Sequence, residues 1–182
     1  NVKRLFDTVT DLFNFSRVAD IGKATSMEPF SLDILFSQIK DDYRDFFLEN
    51  KRELNLLVSD DRYVIGNCGD ISVLIENLLI NAVKYSHEGS EILIKAEPNG
   101  KKVRISVIDQ GIGISEKDKG RIFDKFYQAE GGLSRKYGGT GLGLYIARQI
   151  VEKHNSDLCL ISQEKKGSTF YFDLRAAEEG LS

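Results

Sequence analysis

The chain has 182 residues, and at about 150 residues per domain that allows one domain and a remnant, not two complete domains. With 41% hydrophobic and 29% charged residues and only 2 prolines, the composition is that of a folded globular chain with a single core, which excludes disordered and fibrous classes. Lys and Arg number 25 against 28 Asp and Glu, so a net charge of −3 supplies no basic excess for nucleic acid or for an anionic membrane surface.

No apolar run reaches the roughly 18 residues of a membrane span, and the N-terminus lacks the order of a signal peptide. The expected location is therefore cytoplasmic, with no nucleic acid and no membrane contact by this fragment; a membrane-anchored parent stays open. Cys68 and Cys159 form no C-x-x-C pair and no cluster with histidine, so two reduced structural thiols are expected. The chain starts at Asn1 and runs straight into a helical pattern, as expected of a piece of a longer protein.

In chain order, Leu5, Phe6, Val9, Leu12 and Phe13 recur at helical spacing, predicting an amphipathic helix over 2–18 that needs a partner. Residues 19–29 mix Gly22, Thr25, Ser26 and Pro29 without period and read as a linker. A second helix is expected from Asp33 to about Asn50. Leu54, Leu56 and Val58 alternate as a half-buried strand, and 62–65 is a short second strand. Residues 70–85 return to helix, with Asp70 as the expected N-cap.

Residues 91–96 and 102–108 alternate around Pro98, Asn99 and Gly100 as a hairpin. The stretch 110–140 is dense in glycine and charge apart from I-F-D-K-F-Y. Residues 141–154 are helical, and 158–162 with 168–174 form a closing hairpin that turns at Lys165, Lys166 and Gly167. Mixed helices and hairpins predict an α+β fold: an α/β sandwich whose mostly antiparallel mixed sheet carries three helices on one face, preceded by an N-terminal helix. The expected division is 1–18 helix, 19–29 linker, 30–176 main domain and 177–182 tail.

Three segments carry polar residues with chemical potential. Asn77, Asn81 and Lys84 share one face of the 70–85 helix. They fit either hydrogen bonds to a loop with a snorkelling lysine, or two amide oxygens for magnesium with a point charge for phosphate and Tyr85 as a flat surface for a base. In D-Q-G-I-G, Asp109 stands at a strand exit with Gly111 and Gly113 after it. That is either a tight turn or a carboxylate accepting from the exocyclic amine of adenine, which guanine lacks there. G-G-T-G-L-G-L, from Gly138 to Leu144, opens a helix. It is either a flexible loop or converging amides at a helix N-terminus suited to phosphate, with Arg135 and Lys136 just upstream.

N-L-L-I-N-A-V-K-Y at 77–85, D-Q-G-I-G at 109–113, I-F-D-K-F-Y at 122–127 and G-G-T-G-L-G-L at 138–144 resemble, in order and spacing, the four boxes of the bacterial sensor histidine kinases. The resemblance runs from about Phe30 to Leu174 and implies the catalytic ATP-binding domain, of the Bergerat ATPase fold. It implies that Asn81 with Asn77 holds magnesium, that Lys84 contacts phosphate, and that Tyr85 flanks the adenine accepted by Asp109. Gly111, Gly113 and Ile114 would shape the base pocket. The segment from Phe123 through Tyr127 to Gly139 would be a lid, and Gly139, Thr140, Gly141, Leu142, Gly143 and Leu144 would close over the phosphates with Arg135 and Lys136. Residues 1–18 are similar to the end of the second helix of that family's dimerisation and phosphoacceptor domain.

The implied cofactors are ATP and Mg2+. The implied partners are the parent's own or a cognate phosphoacceptor domain and, downstream, a response regulator receiver domain, with a homodimeric parent. Two departures stand out. His87 lies in a turn and His154 at a helix end, so neither sits in a phosphoacceptor context and both read as solvated surface residues; Gln128 stands where many relatives carry arginine. The related ATP-hydrolysing clamps carry a glutamate at the position of Asn77, and Glu76 beside it is rotated about 100° off the face. Phosphoryl transfer to histidine is therefore favoured over hydrolysis, with an ATP-hydrolysing clamp and a nucleotide-sensing module as the alternatives.

Overall fold

A computed structural model describes residues 26–59, 62–129 and 140–177. The helix expected over 2–18 and the residues Arg135, Lys136 and Gly139 lie outside them.

Strand β1 (Glu28–Ser31) runs straight into helix α1 (Leu32–Asp42), because the Ser31 hydroxyl accepts the Ile34 N–H at 3.2 Å and Asp33 adds negative charge to the first turn. Leu32, Leu35, Phe36 and Ile39 form its buried stripe. The single helix expected over 33–50 is two: backbone angles of −97° and 6° at Tyr43 end α1, and helix α2 (Arg44–Glu49) follows. The break sends the Tyr43 hydroxyl across to Glu76, at 3.2 Å. β1 falls partly in the expected linker; it pairs antiparallel with β3 (Tyr63–Gly66), Phe30 opposite Val64.

Helix α3 (Cys68–Tyr85) is capped by Asn67, whose Oδ1 accepts the Asp70 N–H at 2.9 Å. This corrects the expected cap: Asp70 lies inside the first turn, and its carboxylate pairs instead with Lys153 at 2.8 Å. Ile71, Leu74, Ile75, Leu78 and Leu79 on α3 are 0–1% exposed. Each such side chain contributes about 1.5–3 kcal/mol relative to exposure, so α3 is the spine of the core.

The main sheet has the order β2–β4–β5–β7–β6, formed by β2 (Glu53–Val58), β4 (Glu91–Asn99), β5 (Lys102–Asp109), β6 (Cys159–Gln163) and β7 (Gly167–Arg175). β2 and β4, joined by the crossover that contains α3, are parallel; all other pairs are antiparallel. Alternation decides the faces: Ile92, Ile94, Ala96, Val103, Ile105, Val107, Phe170, Phe172 and Leu174 point into the core with α1, α3 and α5 (Gly143–Lys153). The opposite face is polar and holds Arg104 forked onto Asp173 at 2.9 and 3.0 Å and stacked over Tyr171. A short helix α4 (Glu116–Lys119) lies in the glycine-dense stretch.

α5 runs antiparallel to α3, its start against Asn77 and its end against Asn67. His154, expected to be solvated, is half-buried there. Its Nδ1 bonds the Ile150 carbonyl at 2.7 Å and its Nε2 accepts the Asn67 N–H at 3.0 Å. The ring fits because Gly66 has no side chain: a Cβ there would lie 3.0 Å from His154 Cδ2.

Candidate functional site

The C-terminal half of α3, the loop after β5 and the start of α5 come together at one edge of the α/β sandwich. Asn77, 5% exposed, donates through Nδ2 to the Val73 carbonyl at 2.8 Å, which leaves Oδ1 facing α5. There it meets Gly143: a Cβ on Gly143 would lie 3.0 Å from Asn77 Oδ1 and 3.8 Å from Asn81 Nδ2. The missing side chain keeps both amides open to the helix start. Among the described residues no side chain caps α5 at Leu142, which leaves its first-turn amides to an anion. Thr140 accepts the Leu142 N–H at 3.3 Å, and Leu142 is 2% exposed, with Leu144 partly buried behind it.

Gly141 requires its glycine twice over: φ is +72°, and a Cβ would meet the Phe126 and Tyr127 backbone at 2.7 Å. Tyr127 thus borders the glycine loop through its main chain. Its hydroxyl turns away and donates to Asp118 at 2.8 Å, under the Arg121 guanidinium. The bonds from Ser115 and Tyr127 hold the Asp118 carboxyl below the usual carboxylate range. Lys84 sits 5.1 Å from the Tyr85 ring centre, so the charge and the flat surface are adjacent on the last turn of α3.

Asp109 ends β5, 8% exposed. Its Oδ1 accepts two main-chain donors, Gly111 N–H at 2.8 Å and Ser168 N–H at 3.2 Å. No protein group among the described residues bonds Oδ2. Burial pushes this carboxyl above the usual range, and the two N–H donors pull partly back. The D-Q-G-I-G loop is sewn to the end of α3, with Ile112 N–H on the Tyr85 carbonyl at 3.1 Å and Gly111 bridged to Ser86. A Cβ on Gly111 would fall 2.5 Å from the Tyr85 carbonyl oxygen. Gly113, with φ +67°, faces the β6–β7 turn instead, where a Cβ would lie 2.0 Å from the Gln163 carbonyl. Ile114 packs on the core and donates its N–H to Ser162 at 2.9 Å.

Three contributors, Ser168, Ser162 and Arg52, escaped the sequence reading, and a fourth, Gly167, was expected only as a hairpin turn residue. Gly167 (φ +95°) lets β7 pass the Asp109 carbonyl, 2.0 Å from where its Cβ would be. Ser168 and Ser162 brace the loop, and Arg52 caps α3. Only the pairing of Asp109 with Ser168 across β5 and β7 brings the two serines in. Glu76 is removed from the site, held by Ser72 at 2.8 Å and Tyr43 at 3.2 Å.

The donor set suits a hard cation only in part. Two amide oxygens are the right chemistry for magnesium, but among the described residues no group of three or more His, Cys, Asp or Glu could hold a metal. The remaining ligands would have to be phosphate oxygens and water.

Residues 67–178 match the family described as histidine kinase-, DNA gyrase B-, and HSP90-like ATPase. The sensor histidine kinase WalK of Bacillus subtilis (strain 168) is 34% identical over 179 residues, 97% of this chain and 29% of WalK. The signal transduction histidine-protein kinase BarA of Escherichia coli (strain K12) is 32% identical, over 96% of this chain and 20% of BarA. The chain thus spans less than a third of these relatives. Among solved structures, full-length ShkA in complex with AMPPNP superimposes with a TM-score of 0.80 at 25% identity, over 95% of this chain and 36% of that one. The nucleotide-free catalytic domain of the histidine kinase ThkA does so at 0.72 and 26% identity, over 83% of this chain and 96% of that one. The mixed sheet with its helical face is therefore the Bergerat fold, and the chain belongs to the histidine kinase-, DNA gyrase B-, and HSP90-like ATPase family, as a catalytic domain of the sensor histidine kinase kind.

Proposed function

We propose that this domain binds ATP with magnesium and passes the γ-phosphoryl group to a histidine on a separate phosphoacceptor domain, from which a response regulator receives it. The observation that carries the reading is the junction of α3 and α5, where two asparagine amides face a helix start that no described side chain caps, across a glycine with no side chain to block them. Phosphoryl transfer needs positioning and charge neutralisation more than covalent help, and this junction supplies both. Asp109 Oδ2 accepts the adenine amine, Tyr85 lies along the base, and Lys84 adds charge beside the phosphates. The amides from Thr140 to Leu144 line the phosphates, a role that the resemblance also gives to Arg135, Lys136 and Gly139. Asn81 and Asn77, together with phosphate oxygens and water, would hold magnesium, which when bound would supply neutralisation of the phosphate charge.

Hydrolysis is the weaker reading because, among the described residues, no glutamate stands on the Asn77–Asn81 face of α3 to activate water. Asn77 occupies the relevant turn, and Glu76 is spent on Ser72 and Tyr43. The accepting imidazole attacks phosphorus as the bond to the ADP oxygen breaks, and its proton leaves to an acidic neighbour on the acceptor domain. The test supplies an intact two-helix acceptor domain and radioactive MgATP, and measures label on the acceptor against free phosphate. Transfer without release supports the kinase; release without transfer overturns it. The chain alone should gain no acid-labile label, since both ring nitrogens of His154 are engaged and His87 lies in the turn after α3, not on a phosphoacceptor helix. Label on either would refute this.

A further inference from the structure

Arg52 lies between α2 and β2, away from the boxes that carry the family resemblance, yet its guanidinium is spent on the end of α3. Nε donates to Ser86 Oγ at 3.1 Å, Nη2 to the Ser86 carbonyl at 2.5 Å and Nη1 to the Asn50 carbonyl. All three partners are neutral oxygens, and no carboxylate among the described residues pairs with this cation. A half-buried fork without an ion pair contributes geometry, because several fixed donors hold one residue in one orientation. That residue is Ser86, the C-cap of α3, 7% exposed, where the chain turns from helix to extended backbone.

From Ser86 the contacts run directly to the base pocket. Ser86 bridges to Gly111, and Tyr85 just before it accepts the Ile112 N–H. The Gly111 N–H in turn donates to Asp109 Oδ1 at 2.8 Å. There is little slack at this junction, since the Tyr85 carbonyl is already within 2.5 Å of a hypothetical Gly111 Cβ. A shift of Ser86 therefore moves Gly111, and Gly111 re-aims the carboxylate.

We propose that Arg52 is a positioning residue for base recognition, holding Ser86 and through Gly111 aiming Asp109 Oδ2. The inference rests on the reading of Asp109 as the adenine acceptor. Calorimetry with MgATP, MgGTP and magnesium tripolyphosphate is run on wild type, Arg52→Met, which keeps the stem and loses every donor, and Arg52→Lys, which keeps the charge without the fork. Amide exchange at Gly111 and Ile112 is followed without nucleotide. Arg52→Met should weaken ATP about tenfold, narrow the ATP-over-GTP preference, and leave tripolyphosphate within about twofold, because the loss is confined to hydrogen bonds at the base. Gly111 and Ile112 should exchange faster while β5 and α5 do not. Arg52→Lys should fall between, and it decides by the same ratio if Arg52→Met does not fold.

Equal losses for ATP and tripolyphosphate would reduce Arg52 to a general stabiliser and overturn the proposal, as would unchanged ATP affinity with unchanged exchange. Wild type that binds ATP and GTP alike would refute the Asp109 reading and this inference together. Wild type that discriminates, with Arg52→Met discriminating equally well, would refute this inference alone.

Discussion

At the scale of a residue, Asp109 shows how one side chain can be asked for two things by its two oxygens. Oδ1 is committed to the Gly111 and Ser168 amides, so in Asp109→Asn the amide oxygen must occupy that position and the NH2 group must replace Oδ2. A donor would then face the adenine amine. The expected outcome is a loss of about 2 kcal/mol or more in MgATP binding, roughly 30-fold, with a relative gain for GTP, whose carbonyl suits that donor. Calorimetry with both nucleotides checks it, and undiminished ATP affinity would remove Asp109 from the base pocket. Folding should not suffer. Burial raises the Asp109 pKa, so the folded state holds this proton more tightly than the unfolded chain, and ionisation of Asp109 opposes folding as pH rises through the raised value. Asp109→Asn removes that opposition, so urea midpoints at neutral pH should be equal to or above those of wild type.

Among the elements, the loops are held by glycines that differ in what they avoid. Gly143 avoids the site itself: its Cβ would press on Asn77 Oδ1 at 3.0 Å, where a small shift of α5 relieves the contact. Gly143→Ala should therefore lower MgATP affinity with a stability change of about 1 kcal/mol or less, since the helix gains from alanine what the contact costs. Gly113 avoids structure: φ is +67° and its Cβ would overlap the Gln163 carbonyl at 2.0 Å. Gly113→Ala should cost about 2–4 kcal/mol in urea unfolding through backbone strain and overlap. Gly120, with nothing within 4 Å, serves as the control and should change neither. If Gly143→Ala destabilises as much as Gly113→Ala, the distinction fails.

For the whole molecule, the junction at the far end of the α3–α5 pair sets the pH response. His154 must be neutral at Nε2 to accept the Asn67 N–H, and burial pushes its pKa below the ordinary histidine value. The unfolded chain therefore binds this proton more readily than the folded one. The stabilisation is fully present above about pH 6.5, the unperturbed value, and is lost as pH falls through the lowered folded value. His154→Gln cannot titrate. The difference in urea midpoint between it and wild type should be constant above about pH 6.5 and should shift against wild type below it. A difference that is flat down to pH 5 would show that His154 does not couple protonation to folding. Lys153 and Asp70 beside it form a separate ion pair at 2.8 Å.

Periodicity alone determined the helical and strand segments of α3, β4, β5, α5 and the closing hairpin, because each alternates or repeats over enough residues to bury a face. The four boxes with their resemblance determined the family and singled out Asn77, Asn81 and Asp109 as site candidates. Local pattern could not yield β1, whose four residues bury little beyond Ser31, nor the break at Tyr43, whose hydroxyl finds its partner Glu76 33 residues away. The cap at Asn67 and the burial of His154 depend on each other across 87 residues. Ser168 reaches Asp109 only through strand pairing. Tertiary structure decided these because they are contacts between distant segments, and a hydrogen bond that closes over a long separation leaves no period in the chain. Arg52 is the plainest case: nothing about a lone arginine before a strand reveals that its fork lands on Ser86 and braces the loop that carries Asp109.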